Sequence, residues 1–268
     1  MIRFILVFSV ILFLSCSTAD KKDQNGKGVI KNDSKSSVDK ISRYISILNE
    51  INKNSPATIS SDLEIDGAFG KRKIRTIGKL LYSAEPLMMN LNLFDYIFKS
   101  PLLAVHQEGS AIRIYSPGEK KVFADNVKTL IFKNYIGAPI DFSIFNSLLS
   151  GRIPLIDDYK IKSFIEDARG NYLILENRTQ YQTVSFDGDA PDKILIMNKD
   201  TQDKYEVYVT PVKREKSSYY KKIKFVMNSA GIKLDITFNY IILNSQLKLK
   251  TISDMKIPND VPVVNVGP

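Results

Sequence analysis

The sequence predicts an α+β fold in which about ten or eleven antiparallel strands form one strongly curved sheet or barrel. Three observations support this prediction. Apolar and polar residues alternate through most of the chain after Pro56, which is the pattern of strands with one buried face. Turns containing glycine or proline separate these segments. Three other segments carry apolar residues at helical spacing, and such helices can cover the concave side of a meander of strands.

The composition is that of an ordinary globular protein. The 268 residues are 44% hydrophobic and 25% charged, with a single Cys and a single His. One Cys excludes an intramolecular disulfide, and one His excludes a metal site built from several histidines. After the N-terminus, no segment reaches the roughly 20 apolar residues of a membrane-spanning helix. The formal net charge of +9 would favour nucleic acid as partner if the protein were cytosolic.

The N-terminus has the features of a bacterial export signal instead. Met1 and Arg3 precede an apolar run at residues 4–14, which has the length of a signal-peptide core and is too short to span a bilayer. The run ends in Leu12-Phe13-Leu14-Ser15-Cys16. This segment resembles the lipobox of bacterial lipoproteins, in which the Cys is acylated and becomes the first residue of the mature chain.

The resemblance implies a signal peptide at residues 1–15 and acyl chains, palmitate among them, on Cys16. Phe13 stands where the commonest lipobox has Leu, and relaxed boxes of this kind resemble those of spirochaetes. The Lys-, Ile- and Asn-rich composition fits a spirochaete-like genome. The alternative is an ordinary secretory signal with a free Cys near its end. An acylated Cys16 would anchor the chain permanently, because two acyl chains already give stable attachment.

Next in order come a tether and a helix. Residues 16–37 are expected to form a lipidated flexible tether, because they are polar and nearly free of large apolar side chains. A helix is predicted at residues 38–53, where apolar residues recur every three or four positions behind Ser37 as a possible N-cap. Residues 38–268 are expected to be a single domain, because one curved sheet provides one core.

The strand pattern occurs in eleven segments, in two groups. The first group contains Leu63 and Ile65, then Ile74 to Leu81, then Leu87 to Leu93, then Ile112 and Ile114. The second group comprises residues 159–167, 171–178, 180–186, 192–198, 204–212, 219–228 and 232–243. Two central helices are predicted between the groups, at 126–136 and at 141–149, the second with Asp141 as N-cap and Gly151 at its end.

Motifs of catalysis are missing or isolated. The sequence has no nucleotide-binding glycine loop, no nucleophile elbow and no dinucleotide fingerprint. The carboxylates at residues 187–192 lack the spacing of a calcium loop, and His106 is best interpreted as a surface histidine. Lysines beside tyrosines at 213–224 could contact single-stranded nucleic acid, but a solvated strand face explains them better. We therefore expect no enzyme activity, metal, cofactor or nucleic-acid partner.

One predicted connection is unusually apolar. Residues 93–101 join two strand patterns and contain Phe94, Tyr96, Ile97 and Phe98, although surface loops normally avoid large apolar side chains. Such exposed residues are typical of a membrane or partner contact. The alternative is that one or two of the rings fold back onto the sheet edge.

The middle of the chain carries a family resemblance. Between Phe123 and Tyr159, a predicted helix is followed by the turn Gly137-Ala-Pro139-Ile140, a second helix ending in Leu148-Leu149-Ser-Gly151, and a Pro. This order resembles the central region of LolB, the outer-membrane receptor for lipoproteins, in the LolA/LolB superfamily. The upstream segment Gly78-Lys-Leu80-Leu81 and the anchor Cys16 match in the same order.

The resemblance implies an open antiparallel half-barrel of about eleven strands with a helical lid over a cavity for acyl chains. Segment 94–98 would be a protruding loop that enters the membrane, with Ile97 and Phe98 as candidates for its tip. The cavity and lid would be formed by apolar residues of the strands and central helices, namely Leu91, Leu93, Ile112, Ile114, Leu130, Ile131, Pro139, Phe142, Phe145, Leu148 and Leu149.

The implied function is that of a lipid-anchored, monomeric receptor in the outer membrane that faces the periplasm. It would accept acylated lipoproteins from a periplasmic LolA-like carrier and insert them into the membrane. Two alternatives stay open: an envelope lipoprotein that binds or carries another lipid, and a structural surface lipoprotein with a filled core.

Overall fold

The computed structural model describes residues 34–127, 141–214, 217–253, 257–258 and 260–265. The predicted signal peptide, Cys16 and most of the tether lie outside these residues, as do nearly all of the predicted helix at 126–136 and the candidate residues Leu130, Ile131 and Pro139. From Ser34 onward the chain belongs to one compact unit.

The described residues contain three α-helices and fourteen strands. The helices are α1 (Ser34–Lys53), α2 (Phe142–Leu149) and α3 (Leu249–Ser253). The strands are β1 (Thr58–Phe69), β2 (Arg72–Ser83), β3 (Met88–Asp95), β4 (Pro101–Glu108), β5 (Ala111–Ser116), β6 (Lys121–Asn126), β7 (Lys160–Asp167), β8 (Gly170–Glu176), β9 (Gln180–Asp187), β10 (Ala190–Asn198), β11 (Lys204–Arg214), β12 (Ser217–Met227), β13 (Ile232–Leu243) and β14 (Val263–Asn265).

All fourteen strands belong to one sheet, in the order β14-β6-β5-β4-β3-β2-β1-β13-β12-β11-β10-β9-β8-β7. Neighbouring strands are antiparallel except for β14, which runs parallel to β6. The two edge strands, β14 and β7, are not paired with each other, so the sheet is open. This arrangement agrees with the predicted open half-barrel.

The predicted count of about eleven strands is too low for this sheet, because β4, β6 and β14 were not anticipated. In β4 and β6 the apolar residues stand side by side, as in Leu102-Leu103 and Val122-Phe123, which hides the alternation. β14 has three residues and exists only through its pairing with β6, so no local pattern marks it.

The main core lies on one face of the sheet, called here the inner face. Alternate residues of β1 (Ile59, Leu63, Ile65) and of β13 (Ile232 to Phe238) are buried there. The register places these two strands side by side, with Leu63 opposite Phe238. The pair β1–β13 thus joins the two halves of the chain into one sheet with one core.

Helix α1 covers the inner face near β7 and β9. Its Tyr44 ring lies 5.2 Å from the ring of Phe164 and 4.5 Å from that of Phe186. Arg43 forms an ion pair with Asp189 at 2.7 Å. The helix begins at Ser34, so the prediction of Ser37 as its N-cap was wrong; the helical pattern becomes apolar only at Val38, four residues after the helix starts.

A strap of residues 150–156 follows α2 and crosses the inner face. The fully buried Gln182 of β9 donates a hydrogen bond to the carbonyl of Pro154 at 2.6 Å and accepts one from the backbone N–H of Ile156 at 3.0 Å. Asn52 of α1 exchanges two hydrogen bonds with the backbone of Ile153, at 2.8 and 3.1 Å. These four bonds tie the strap to both α1 and the sheet.

The opposite face, called here the outer face, is covered over β3 and β4 by helix α3. Asn90 donates a hydrogen bond to the carbonyl of Ile252, whose side chain is fully buried. His106, the neighbour of Asn90 across the strand pair, is 8% exposed. The prediction of a surface histidine was wrong, because α3 comes from far along the chain to cover this position. Burial lowers the pKa of His106.

Candidate functional site

The hairpin between β3 and β4 ends in a tightly bonded turn. The Asp95 carboxylate accepts hydrogen bonds from the backbone N–H groups of Ile97 at 2.9 Å and Phe98 at 2.7 Å. Lys99 has a positive φ of 57° and donates its backbone N–H to the Asp95 carbonyl at 3.1 Å. Its ammonium group donates to the carbonyl of Tyr96 at 2.7 Å. The backbone of this turn is therefore defined by its own side chains.

This turn presents two apolar side chains to solvent. Ile97 is 75% exposed and Phe98 is 82% exposed, which is unusual for residues of this size. We call residues 96–99 the tip. The expectation that this connection is exposed and apolar is confirmed for these two residues.

Tyr96 and Phe94 have different environments from the two exposed side chains. The guanidinium of Arg75 lies 4.0 Å from the centroid of the Tyr96 ring, and the Lys99 ammonium lies 5.0 Å from it. Arg75 is itself held by the carboxylate of Glu64 on β1. Phe94 is half-buried and lines a depression of about 580 Å³ on the outer face. These two rings lie beside residues of the sheet, whereas Ile97 and Phe98 extend into solvent.

The inner face of the same strand pair is apolar up to the base of the tip. Leu91 and Leu93 of β3 lie opposite Val105 and Leu103 of β4. Val105 is buried, whereas the three leucines are half-buried and pack against the main core. Leu93 is two residues before Asp95, where the turn begins. A strip of partly accessible leucines thus leads from the core towards Ile97 and Phe98.

Gly78 of β2 makes room for this strip. It lies opposite Leu93 in the register, and a Cβ atom at Gly78 would lie 2.8 Å from Leu93 Cδ2 and 3.2 Å from the Asn92 carbonyl oxygen. Leu93 therefore occupies space that a side chain at position 78 would take.

The other predicted cavity residues that the structure describes are buried. Ile112 and Ile114 of β5 face the core, as do Phe142, Phe145, Leu148 and Leu149 of α2. The Phe145 ring lies 5.5 Å from the ring of Phe225, which in turn lies 5.4 Å from that of Tyr205. Helix α2 therefore packs against β12, and Tyr205 of β11 extends this group of rings. All these residues belong to the same cluster as Leu91 and Leu93, and their role in holding acyl chains stays a prediction.

The start and end of α2 agree with the sequence pattern. Asp141 occupies the N-cap position with an extended backbone, although its side chain makes no capping hydrogen bond. Burial, and then the neighbouring Asp157 carboxylate, raise the pKa of Asp141. Gly151 follows the helix with a positive φ of 79°, a conformation in which glycine carries no steric penalty.

Sequence reasoning missed a second exposed apolar site. Tyr240 and Ile242 of β13 are 84% and 55% exposed on the outer face, and Tyr240 has a positive φ of 47°. The register of β13 against β1 shifts at this point, between Ser60 and Asp62. The four consecutive apolar residues at 240–243 were the available signal, because strict alternation cannot bury all of them on one face.

Two classes of feature are absent from the part of the chain that the structure describes. No group of three or more His, Cys, Asp or Glu side chains there could hold a metal ion. Among those residues, no helix combines the length and apolar character needed to cross a membrane.

Comparison with known proteins identifies the fold. No protein-family model and no curated protein sequence matches the chain. Among solved structures, a LolA superfamily protein from Nitrosomonas europaea matches with a TM-score of 0.56 and 11% identity over 79% of this chain and 97% of that one. An outer membrane lipoprotein-sorting protein domain from Vibrio parahaemolyticus matches with a TM-score of 0.58 and 9% identity, covering 80% and 97%.

A third match is a DUF1329 family protein from Desulfovibrio piger, with a TM-score of 0.57, 10% identity, and coverage of 81% of this chain and 98% of the other. The chain therefore has the fold of the LolA superfamily. At these identities the likeness concerns the fold alone.

Proposed function

We propose that this chain is a lipid-anchored receptor that accepts acylated lipoproteins and inserts them into the outer membrane. The observation that carries the proposal is the solvent-exposed pair Ile97 and Phe98, held at the end of a hairpin whose inner face is a strip of half-buried leucines. The activity is binding and transfer, so it requires no catalytic residue, metal or cofactor.

The fold supports this assignment. One of the matching structures, from Vibrio parahaemolyticus, is described as an outer membrane lipoprotein-sorting protein domain. An open sheet with an apolar inner face can accommodate an alkyl chain along its strands, because the cargo gains by removing its methylenes from water. Leu91, Leu93 and Leu103 are the positions on β3 and β4 where such a chain can still reach apolar surface.

The tip supports the membrane step. Burying a large apolar side chain in an apolar phase contributes about 1.5–3 kcal/mol, and Ile97 and Phe98 expose most of their surface for this purpose. Because Asp95 and Lys99 fix the backbone of the turn, little conformational entropy is lost when the tip enters the interface. Entry of the tip would place a cargo that is bound on the leucine strip next to the acyl layer of the membrane.

The remaining features of the proposal come from the N-terminal sequence. Acylation of Cys16 would place the protein in the outer membrane, facing the periplasm, where a soluble LolA-like carrier would bring the cargo. The residues between Cys16 and α1 would then link the anchor to the sheet.

Photo-crosslinking tests the cargo site directly. A benzophenone amino acid in place of Leu93 probes the inner face, and the same amino acid in place of the exposed Lys79, on the outer face of β2, is the matched control. We expect a triacylated lipoprotein to crosslink to position 93 and not to position 79, and we expect the crosslink to disappear when the lipoprotein lacks acyl chains. Equal crosslinking at both positions, or crosslinking without acyl chains, would contradict the proposal.

A further inference from the structure

In the described part of the chain, six hairpin turns lie at one end of the sheet, and three of them join strands of the consecutive run β1 to β6. The strands β6-β5-β4-β3-β2-β1 are consecutive and antiparallel, so the β1–β2, β3–β4 and β5–β6 turns all project in one direction. The register places Thr76 opposite Asp95 and Ala104 opposite Tyr115. Measured along the strands from these pairs, the β1–β2 turn extends about two to three residues, or roughly 7–10 Å, beyond the β3–β4 turn. The β3–β4 turn extends beyond the β5–β6 turn by a similar length.

With strands tilted as in a half-barrel, this stagger would bring the three turns to a common level. Successive hairpins are about 10 Å apart across the sheet, so a step of roughly 7–10 Å corresponds to strands tilted by about 40°, as in a half-barrel. A plane perpendicular to the barrel axis can then contact all three turns together. The apolar tip lies in the middle of this row.

The two turns that flank the tip are basic. The β1–β2 turn carries Lys71 and Arg72, with Lys73 next to them, and the β5–β6 turn carries Lys120 and Lys121. All five side chains are exposed, and within the described part of the chain none of them forms an ion pair.

Few acidic groups oppose this charge on the three turns. Glu119 is the exposed carboxylate on the β5–β6 turn. The Asp95 carboxylate on the β3–β4 turn is bonded to two backbone N–H groups of the tip. Asp66 of β1 lies 3.5 Å from the guanidinium of Arg75. The five basic side chains therefore give the row a net positive charge next to two exposed apolar residues.

We propose that these turns form a docking surface for anionic phospholipid head groups, with the tip entering the acyl layer between them. This inference rests on the proposed function, because it assigns the surface that meets the target membrane. Cations at a membrane surface attract anionic lipids, while apolar side chains between them gain by burial. The combination favours a lipid surface, because exposed cations lie on the turns to both sides of the apolar tip.

Vesicle binding tests this proposal. The chain from residue 17 onward contains the whole described unit and lacks the predicted anchor, so it reports the surface alone. We expect it to bind vesicles of phosphatidylcholine with 30% phosphatidylglycerol much more tightly than vesicles of phosphatidylcholine. Removal of one such charge should weaken binding to the anionic vesicles by about tenfold or less. The triple variant with Lys71→Gln, Arg72→Gln and Lys73→Gln should therefore bind them about 100-fold more weakly.

A matched variant controls for net charge. Lys79→Gln, Lys160→Gln and Lys222→Gln remove the same charge from exposed positions away from the three turns, and we expect them to change the affinity by less than threefold. Equal binding of the unmodified chain to both kinds of vesicle would overturn the proposal, as would an equal loss in the two triple variants.

The same variants separate this inference from the proposed function. Capture of an acylated lipoprotein in solution requires no vesicle, so it should be unchanged in the Lys71, Arg72 and Lys73 triple variant. A chain that captures cargo but shows no preference for anionic vesicles contradicts the docking surface alone. A chain that binds anionic vesicles but captures no cargo contradicts the proposed receptor and leaves the surface standing.

Discussion

Replacing Ile97 and Phe98 together by Asp should abolish membrane delivery and leave the fold intact. The two side chains are 75% and 82% exposed, so they contribute little to the core. Exposed substitutions of this kind change stability by about 0.5 kcal/mol or less. The hydrogen bonds that define the turn come from Asp95 and Lys99, and neither residue is altered.

The effect on membrane binding should be much larger. Burial of a whole side chain of this type contributes about 1.5–3 kcal/mol. About three quarters of each side chain is free to be buried, so the pair contributes about 2.5–4.5 kcal/mol to membrane entry. Loss of this contribution alone weakens membrane binding by roughly 70-fold to 2,000-fold, and the two carboxylates add a further cost inside the bilayer.

The assay follows a fluorescent triacylated lipoprotein from the loaded receptor into vesicles. Tyr240→Asp with Ile242→Asp is the matched control, because it places the same charges on two exposed apolar residues away from the tip. We expect transfer to stop in the tip variant and to continue in the control, with similar urea midpoints for both. Unchanged transfer by the tip variant, or an equal loss in the control, would refute the role of the tip.

Three further predictions concern the sheet. Gln182→Leu should lower the free energy of unfolding, measured by urea denaturation, by about 2–4 kcal/mol. The reason is that two buried backbone groups of the strap lose their hydrogen-bond partner. A loss under about 1 kcal/mol would mean that water replaces the Gln182 amide. Gly78→Ala should cost about 1–3 kcal/mol and reduce crosslinking from position 93, because the new Cβ displaces Leu93. The pKa of His106 is lowered in the folded state, so stability should fall as the pH drops below about 6.5, where the unfolded chain takes up the proton first. Urea midpoints at pH 7.5 and pH 5.0 should show this fall, and His106→Gln should reduce it; an unchanged pH dependence in that variant would contradict the assignment.

The alternation pattern predicted most strands well. β13 has the predicted bounds of 232–243, and β9 extends one residue beyond the predicted 180–186. Helix α2 matches the prediction within one residue. These elements were predictable because each buries one face, which a local pattern can show.

Other features depend on contacts between distant segments. β14 forms against β6 across roughly 140 residues of sequence, and the burial of His106 depends on α3, about as far away. The exposed tip was predictable from its composition, since a loop has few neighbours that could cover Ile97 and Phe98. The row of basic turns was not, because it requires the strand order and register of the sheet.

Native mass spectrometry of the chain from residue 17 onward, mixed with a triacylated lipoprotein on its soluble carrier, tests the receptor proposal most directly. We expect a one-to-one complex of this chain with the lipoprotein, with the carrier released, and no complex when the lipoprotein lacks acyl chains. Capture of free lipid without lipoprotein would contradict the receptor and favour a carrier of another lipid. A chain that captures neither would contradict it as well, and would favour a structural lipoprotein whose sheet encloses a filled core.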